Sequence, residues 1–189
     1  MHTPTIKSVT KQGLEKTDLY SYHFNNREIF LFEEITDETA QDVIAQLHYL
    51  NQQSHEDITI WINSLGGSVT AGFAIYDAMQ RCSCDIITIC TGIAASMAAF
   101  LLSTGTKGKR YATSQSEIML HQPLGGVQGQ ATDIDVLAKR IIQIKKRINI
   151  ILAQNTGQTV NKIAHDCERD FYLLADEALK YGIIDKIYN

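Results

Sequence analysis

The sequence predicts an α/β fold built on parallel strands, and three features of its patterning carry that expectation. Short β-branched runs alternate with longer segments of helical periodicity, the rhythm of strand–helix units that assemble parallel sheets. Two of the runs, residues 58–62 and 86–90, lead through glycine-bearing stretches straight into helical patterns. Later, Ile134, Leu137, Ile141, Ile144, Ile148 and Ile151 recur at spacings of three and four, a stripe long enough to pack against a neighbour.

Taken in order, residues 1–26 show no strong period and read as an arm with one helical turn around residues 19–24. From Arg27 the pattern sharpens into a single domain, 27–189. Ile29-Phe30-Leu31-Phe32 is a short apolar strand. Thr36 is a plausible N-cap for a helix whose Thr39, Val43, Ile44, Leu47 and Leu50 share one face. Ile58-Thr59-Ile60-Trp61-Ile62 is rich in strand formers and enters Asn63-Ser64-Leu65-Gly66-Gly67-Ser68 before a helix at 69–80. The strand at 86–90 enters Thr91-Gly92-Ile93-Ala94-Ala95-Ser96, read as a loop, before a helix through Phe100 and Leu102. Strands at 110–112 and 117–120 follow. Glycine and Pro123 break residues 122–131 into loop or extended ribbon. Thr132-Asp133-Ile134-Asp135 resembles a capping box at the head of the long helix. The chain closes with a helix near 160–165, the segment Asp170-Phe171-Tyr172-Leu173, a helix near 176–181 and a strand at 183–187.

Composition narrows the function. The 189 residues are 44% hydrophobic and 20% charged, with a net charge of −4. A nucleic-acid partner would require clustered positive charge; the basic residues at 145–147 and at Lys107, Lys109 and Arg110 read as helix surface and turn. No run of about 18 apolar residues predicts a membrane span, and no secretory signal pattern opens the chain. The four cysteines, Cys82, Cys84, Cys90 and Cys167, form no CxxC motif. They read as reduced thiols in a cytoplasmic compartment, with Cys90 a small buried hydrophobe.

The chemistry gathers where strands meet helix starts, the place where α/β folds hold ligands. Gly66 and Gly67 can bring backbone amides close to a ligand. Ser96 opens a helix among Ala94, Ala95, Ala98 and Ala99, small neighbours that leave room for a substrate backbone. The Met97 amide lies in the first helical turn, where N–H groups lack intrahelical acceptors and the dipole favours an anion. A serine hydroxyl needs a base to attack. Of the six histidines, His121 is the best candidate, because it ends the apolar strand Ile118-Met119-Leu120. His2, His48, His55 and His165 read as solvated, and His23 stays undecided. Asp170, at the mouth of an apolar segment, is the best-placed acid to hold the histidine tautomer. Each residue also has a plainer reading: a helix N-cap, a surface histidine, a turn aspartate.

Several motifs then occur together. Ser64-Leu65-Gly66-Gly67-Ser68-Val69-Thr70-Ala71-Gly72, Ile75-Tyr76-Asp77-Ala78-Met79-Gln80, Ala94-Ala95-Ser96-Met97, Lys107-Gly108-Lys109-Arg110-Tyr111 and His121-Gln122-Pro123-Leu124-Gly125-Gly126 resemble those of the proteolytic-subunit family of Clp proteases, ClpP. So do Gln128-Gly129-Gln130-Ala131-Thr132-Asp133-Ile134, Glu168-Arg169-Asp170 and Tyr181-Gly182-Ile183-Ile184-Asp185. The resemblance runs in register from about Arg27 to the C-terminus. It implies stacked ββα/βαβ units of the ClpP/crotonase type, with a handle helix protruding at about 122–151.

The same resemblance implies two stacked seven-membered rings around a closed chamber, fed with unfolded polypeptide by a hexameric Clp ATPase. ATP would be used by that partner, and the chain itself would need no cofactor or metal. By resemblance, Ser96, His121 and Asp170 are nucleophile, base and orienting acid, and Gly67 and Met97 supply the oxyanion donors. Val69 and Leu124 lie in strand segments that bind substrate as an added strand. Arg169 pairs with an acid across the ring interface, with Asp133 the best partner in this sequence. Residues 1–26 line the pore, and Trp61 contributes to ATPase docking.

The chain departs from the family pattern at four places. Leu65 replaces a proline, Ala98 a glycine, Ser83-Cys84 a Lys-Pro pair, and Thr59 an aromatic of the docking pocket. Three readings follow: an active serine endopeptidase, a weakly active structural or regulatory partner in a mixed assembly with a paralogous subunit, and an acyl-CoA enzyme of the related crotonase fold. The third is disfavoured by the full Ser-His-Asp set, since fold alone would not exclude it.

Overall fold

The computed structural model describes residues 4–10, 13–126 and 128–188. Strands β1 (Thr5–Thr10) and β2 (Gly13–Asp18) pair antiparallel, with Thr5 opposite Asp18. The mostly polar sequence of this pair has no one-sided apolar alternation, so the hairpin is not evident from patterning; residues 1–3, including His2, and 11–12 lie outside the described residues. Helix α1 (Leu19–Asn25) is longer than the single turn expected, and Asp18 caps it by accepting the Ser21 amide at 3.0 Å.

The body then alternates as the pattern predicts: β3 (Glu28–Leu31), α2 (Asp37–Gln53), β4 (Ile58–Ser64), α3 (Val69–Arg81), β5 (Ile86–Ala95), α4 (Met97–Ser103), β6 (Arg110–Thr113) and β7 (Glu117–Leu120). Thr36 caps α2 as expected, accepting the Thr39 amide. The chain continues through α5 (Ala131–Thr156), α6 (Val160–Asp166), β8 (Phe171–Leu174), α7 (Ala175–Tyr181) and β9 (Lys186–Tyr188).

Neighbouring strands β3-β4-β5-β6-β9 pair in parallel. Strand β5 is where the sheet divides. Its residues Thr88–Cys90 pair with β6, while Ile93–Ala95 leave β6 and pair in parallel with β7, which in turn pairs antiparallel with β8. Residues 91–95, expected as loop, are therefore strand. Gly92, at φ 77°, takes the bend, and the β7 ladder keeps the remainder extended. Helix α4 lies beneath this junction with all of its residues buried. Ala94, Ala95, Ala98 and Ala99 are each at most 1% exposed. They serve close packing and do not open room for a substrate.

Other expectations need correction. Thr132 caps nothing: α5 starts one residue earlier, on Gln130, without a side-chain cap. Strand β9 begins at Lys186, because Ile183 and Ile184 are core residues, 0% and 1% exposed, and Asp185 is engaged in an ion pair. Val69 opens α3 and is not in a strand, since the Ser68 side chain caps that helix through the Ala71 amide at 3.3 Å. No helix among the described residues is long and apolar enough to cross a membrane. The four cysteines are free, and burial pushes the Cys90 and Cys167 thiols up to about 11.

Two arginines hold the body together. Arg27 sends its guanidinium to the Leu50 carbonyl at 2.9 Å and the Glu56 carbonyl at 2.8 Å, placing a cation where the α2 C-terminus presents unpaired carbonyls. Arg110 binds Asp185 through Nε at 2.8 Å and Nη2 at 2.6 Å, and reaches the Asn155 carbonyl at the end of α5 at 2.9 Å. The amides of Gly108 and Arg110 also donate to Asp185. A single fork thus ties β6, α5 and the segment entering β9.

The Arg110 and Asp185 side chains are 4% and 17% exposed. Removing one partner of such a pair leaves an uncompensated charge, a loss of about 3–5 kcal/mol. Arg110→Ala should lower the unfolding free energy by that amount in urea titrations. Burial raises the Asp185 carboxyl, but the Arg110 guanidinium and the two amides outweigh burial and hold it below its ordinary value. Its contribution is therefore present above the unfolded-state value of about 4 and is lost as pH falls through the lower folded value. Acid unfolding of Asp185→Asn should lack that component.

Candidate active site

The site is assembled at the point where β5 leaves β6. Parallel pairing sets Ala95 opposite Met119, and the next amide, that of Ser96, donates to the Met119 carbonyl at 2.8 Å. The Ser96 carbonyl already accepts the Phe100 amide of α4 at 3.0 Å. Strand must therefore become helix within one residue, and Ser96 is forced to φ 54°, ψ −121°. Such a conformation costs a non-glycine residue on the order of 1–3 kcal/mol and persists only where the surroundings over-determine it. Ser96 stands at the N-cap position of α4, yet its side chain makes no capping bond. The hydroxyl is directed elsewhere.

It meets His121. Strand β7 ends at Leu120 and β8 begins at Phe171, and these two residues are partners in the antiparallel ladder. The residues just outside that pair, His121 and Asp170, thus emerge side by side at one sheet end. His121 Nε2 lies 2.8 Å from Ser96 Oγ, and His121 Nδ1 lies 3.2 Å from Asp170 Oδ1. The histidine side chain is 14% exposed and the aspartate 59%, so the ring is sheltered while the acid borders solvent. The three residues singled out by sequence are brought into one relay.

The glycine loop lies against the same turn. A Cβ on Gly66 would meet Ala95 O at 2.7 Å, Ser96 Cβ at 2.8 Å and Met97 N at 2.9 Å, and one on Gly67 would collide with Ile35 O. Both glycines also have positive φ. Their absence of side chains is required by packing on the Ser96 turn and on Ile35, a reason more local than approach to a ligand. The loop is held by Ile35 N–H donating to Gly66 O at 2.9 Å and Ser68 N–H donating to Ile35 O at 2.7 Å. That bridge uses the neighbours of the Gly67 amide and leaves this amide outside the pair. The Met97 amide opens the first turn of α4, where N–H groups have no intrahelical acceptor. Leu65 is 72% exposed at the loop tip, beside a cleft of about 500 Å³ lined by Phe32, Asn63, Gly67 and Ile93.

The remaining predicted residues scatter. Leu124 lies outside regular structure and is 80% exposed. Asp133, on the exposed first turn of α5, and Arg169, exposed beside Asp170, form no ion pair with each other within the chain. Trp61 packs its ring against Tyr188 at 5.7 Å, and Tyr188 packs against Tyr111 at 6.0 Å. His23, undecided from sequence, pairs with Glu28, while His165 is 89% exposed beside Asp166. Sequence reasoning missed Met119, whose carbonyl fixes the Ser96 turn, and Ile35, which anchors the glycine loop. The apolar run of β7 hinted at Met119, but nothing local marked Ile35, which forms only an isolated bridge to Gly67 outside the named strands.

The family model described as Clp protease matches residues 11–189, nearly the whole chain and every element of the site. Its extent, together with the α/β architecture and mostly parallel sheet, means that the chain belongs to the Clp protease family, and with it to the peptidases.

Proposed function

We propose that the chain is a serine endopeptidase in which Ser96 is the nucleophile, His121 the general base and Asp170 the orienting acid. The relay of 2.8 Å and 3.2 Å contacts at a serine that caps nothing carries this reading. With the Nδ1 proton donated to Asp170, Nε2 accepts the Ser96 hydroxyl proton as Oγ attacks the scissile carbonyl carbon. The oxyanion accepts from the Gly67 and Met97 amides; losing one such donor costs roughly a hundred- to a thousand-fold in rate. His121 returns its proton to the leaving amine as the C–N bond breaks, and water repeats the cycle on the acyl-enzyme. The reaction runs on protein groups and water.

Substrate would lie extended between the segments around Val69 and Leu124 as an added strand. Ser96→Ala should reduce hydrolysis of short fluorogenic peptides by on the order of a million-fold and leave the assembly intact. Wild-type turnover in that variant would remove Ser96 from the role.

The subunit works, in this reading, in two stacked seven-membered rings in the cytoplasm, joined through the handle at about 122–151. Support comes from the exposed apolar residues of α5: Ile134, Val136 and Ile142 are 40%, 59% and 53% exposed, more than a solvated helix face ordinarily shows. Arg169 pairs with Asp133 of another copy. Arg169→Ala should then shift sedimentation towards single rings and lower peptidase activity, and an unchanged profile would separate Arg169 from assembly.

A hexameric Clp ATPase would deliver unfolded chains, docking near the Trp61–Tyr188–Tyr111 cluster, with residues 1–26 lining the pore. A weakly active partner subunit in a mixed assembly is the second reading. Leu65 favours it, because leucine presets the loop backbone less than proline does; the bonds from Ile35 and Ser68 count against it. Loss of a folded, tagged substrate should require both ATPase and ATP. Degradation without them would overturn the chamber, and degradation only after adding a second family chain would select the partner reading.

A further inference from the structure

The catalytic pair is carried on backbone that leaves the sheet at once. Beyond the Leu120–Phe171 pair the ladder stops, and His121 and Asp170 occupy the next step on either side. What closes that step is a second set of bonds. The Gln122 amide donates to Cys167 O at 2.7 Å, and Gln122 Nε2 donates to Glu168 O at 2.9 Å. Lys145 Nζ, from α5, donates to Gln122 Oε1 at 2.8 Å and to Glu168 Oε2 at 3.1 Å.

Lys145 thus holds the residue after His121 and the residue two before Asp170. One helical turn earlier, Ile141 meets the same segment: a Cβ on Gly125 would lie 2.7 Å from Ile141 Cδ1. The loop that carries His121 therefore rests on α5 at two points four residues apart, one polar and one apolar. Of the next two α5 residues, Lys146 is exposed and Arg147 stacks over the Phe73 ring at 4.5 Å.

A lone exposed ion pair would do little, since water screens it and holding two long side chains in one geometry costs entropy. Here the ammonium, 29% exposed, bridges a neutral amide and a carboxylate on two different segments. It adds a further tie to the two bonds by which Gln122 already reaches Cys167 and Glu168, and it fastens both segments to α5. Catalysis is sensitive to the placement of such segments: a misplacement of about 1 Å can cost roughly a hundred-fold in rate.

We infer that Lys145 is a positioning residue, clamping Gln122 to Glu168 so that His121 and Asp170 stay within reach of each other and Ser96 stays activated. The inference rests on the nucleophile assignment proposed above, and the test separates the two. The full assembled chain is compared as wild type, Lys145→Met, which keeps the aliphatic stem without the donor, Lys145→Arg, which restores a forked donor, and Ser96→Ala. Three quantities are measured: the rate at which a fluorophosphonate labels Ser96, where Oγ bonds to phosphorus, fluoride leaves and His121 takes the proton, and kcat and KM for a short fluorogenic peptide.

Lys145→Met should label about tenfold more slowly and lose kcat in proportion, with KM changed less than about twofold, the signature of lost transition-state alignment. Lys145→Arg should recover most of the loss, and sedimentation should match wild type in both. Equal labelling rates for Lys145→Met and wild type would overturn the positioning role while leaving the nucleophile assignment standing. A change in assembly that accounts for the loss, or no recovery with arginine, would also overturn it. A wild-type chain that takes no label at Ser96, or labelling that survives Ser96→Ala, would overturn the nucleophile assignment itself and the inference with it.

Discussion

Everything at the site depends on how one strand changes partners. Strand β5 starts in a parallel ladder with β6 and finishes in a ladder with β7, and the hydrogen bond from Ser96 N–H to Met119 O is the last rung. Because α4 takes the Ser96 carbonyl in its first turn, the serine is held from both sides at positive φ, a backbone state that non-glycine residues seldom adopt. The side chain is then turned out of the capping position and towards the β7 end. Strain at Ser96 and reach to His121 are one consequence of the same two bonds. It follows that the residues supporting the nucleophile lie on β7 and α4 and not among its polar neighbours.

The second constraint is electrostatic and lies far from the chemistry. Arg110 and Asp185 bring the segment entering β9 back to β6 and to the end of α5. Arg27 does the corresponding work at the other edge, where its guanidinium meets the last carbonyl-bearing turn of α2 and the approach to β4. Each cation is buried yet saturated with acceptors, the condition under which a buried charge is tolerated. The edges of the parallel sheet are thus closed by polar knots while its centre is closed by aliphatic packing, and the catalytic turn sits between them.

How much of this is legible in the sequence depends on which force decides each feature. Period and propensity decide the strands at 58–62 and 86–90 and the α2 face, and these agree with the structure; Thr36 is a cap because its chemistry is local. Ser96 is legible as a candidate because it opens a helix of small residues, and His121 and Asp170 because each borders an apolar run; that the three act together rests on the family resemblance. Residues 91–95 were misjudged because Gly92 looks like a break, whereas a tertiary ladder overrides propensity. The capping box at Thr132 fails for a similar reason: local pattern permits it, but the chain enters α5 from Gln130. Arg110 reads as part of an exposed turn, since nothing local distinguishes a solvated cation from a saturated buried one.

Helix α5 shows why the site and the surface cannot be considered apart. Its apolar stripe divides along its length. Ile148 is buried against the body, while Ile134 is 40% exposed. Between these halves lie Ile141 and Lys145, which touch the His121 segment through Gly125 and Gln122. The portion of the helix that contacts the catalytic loop is therefore flanked by a fixed half and an exposed half. A body-anchored C-terminal half gives that contact its reference position, because close-packed interiors resist small displacements. An exposed apolar half gives any surface that covers it leverage on the same turn. Burial pattern alone thus makes the His121–Asp170 separation depend on a helix that contributes no reacting group.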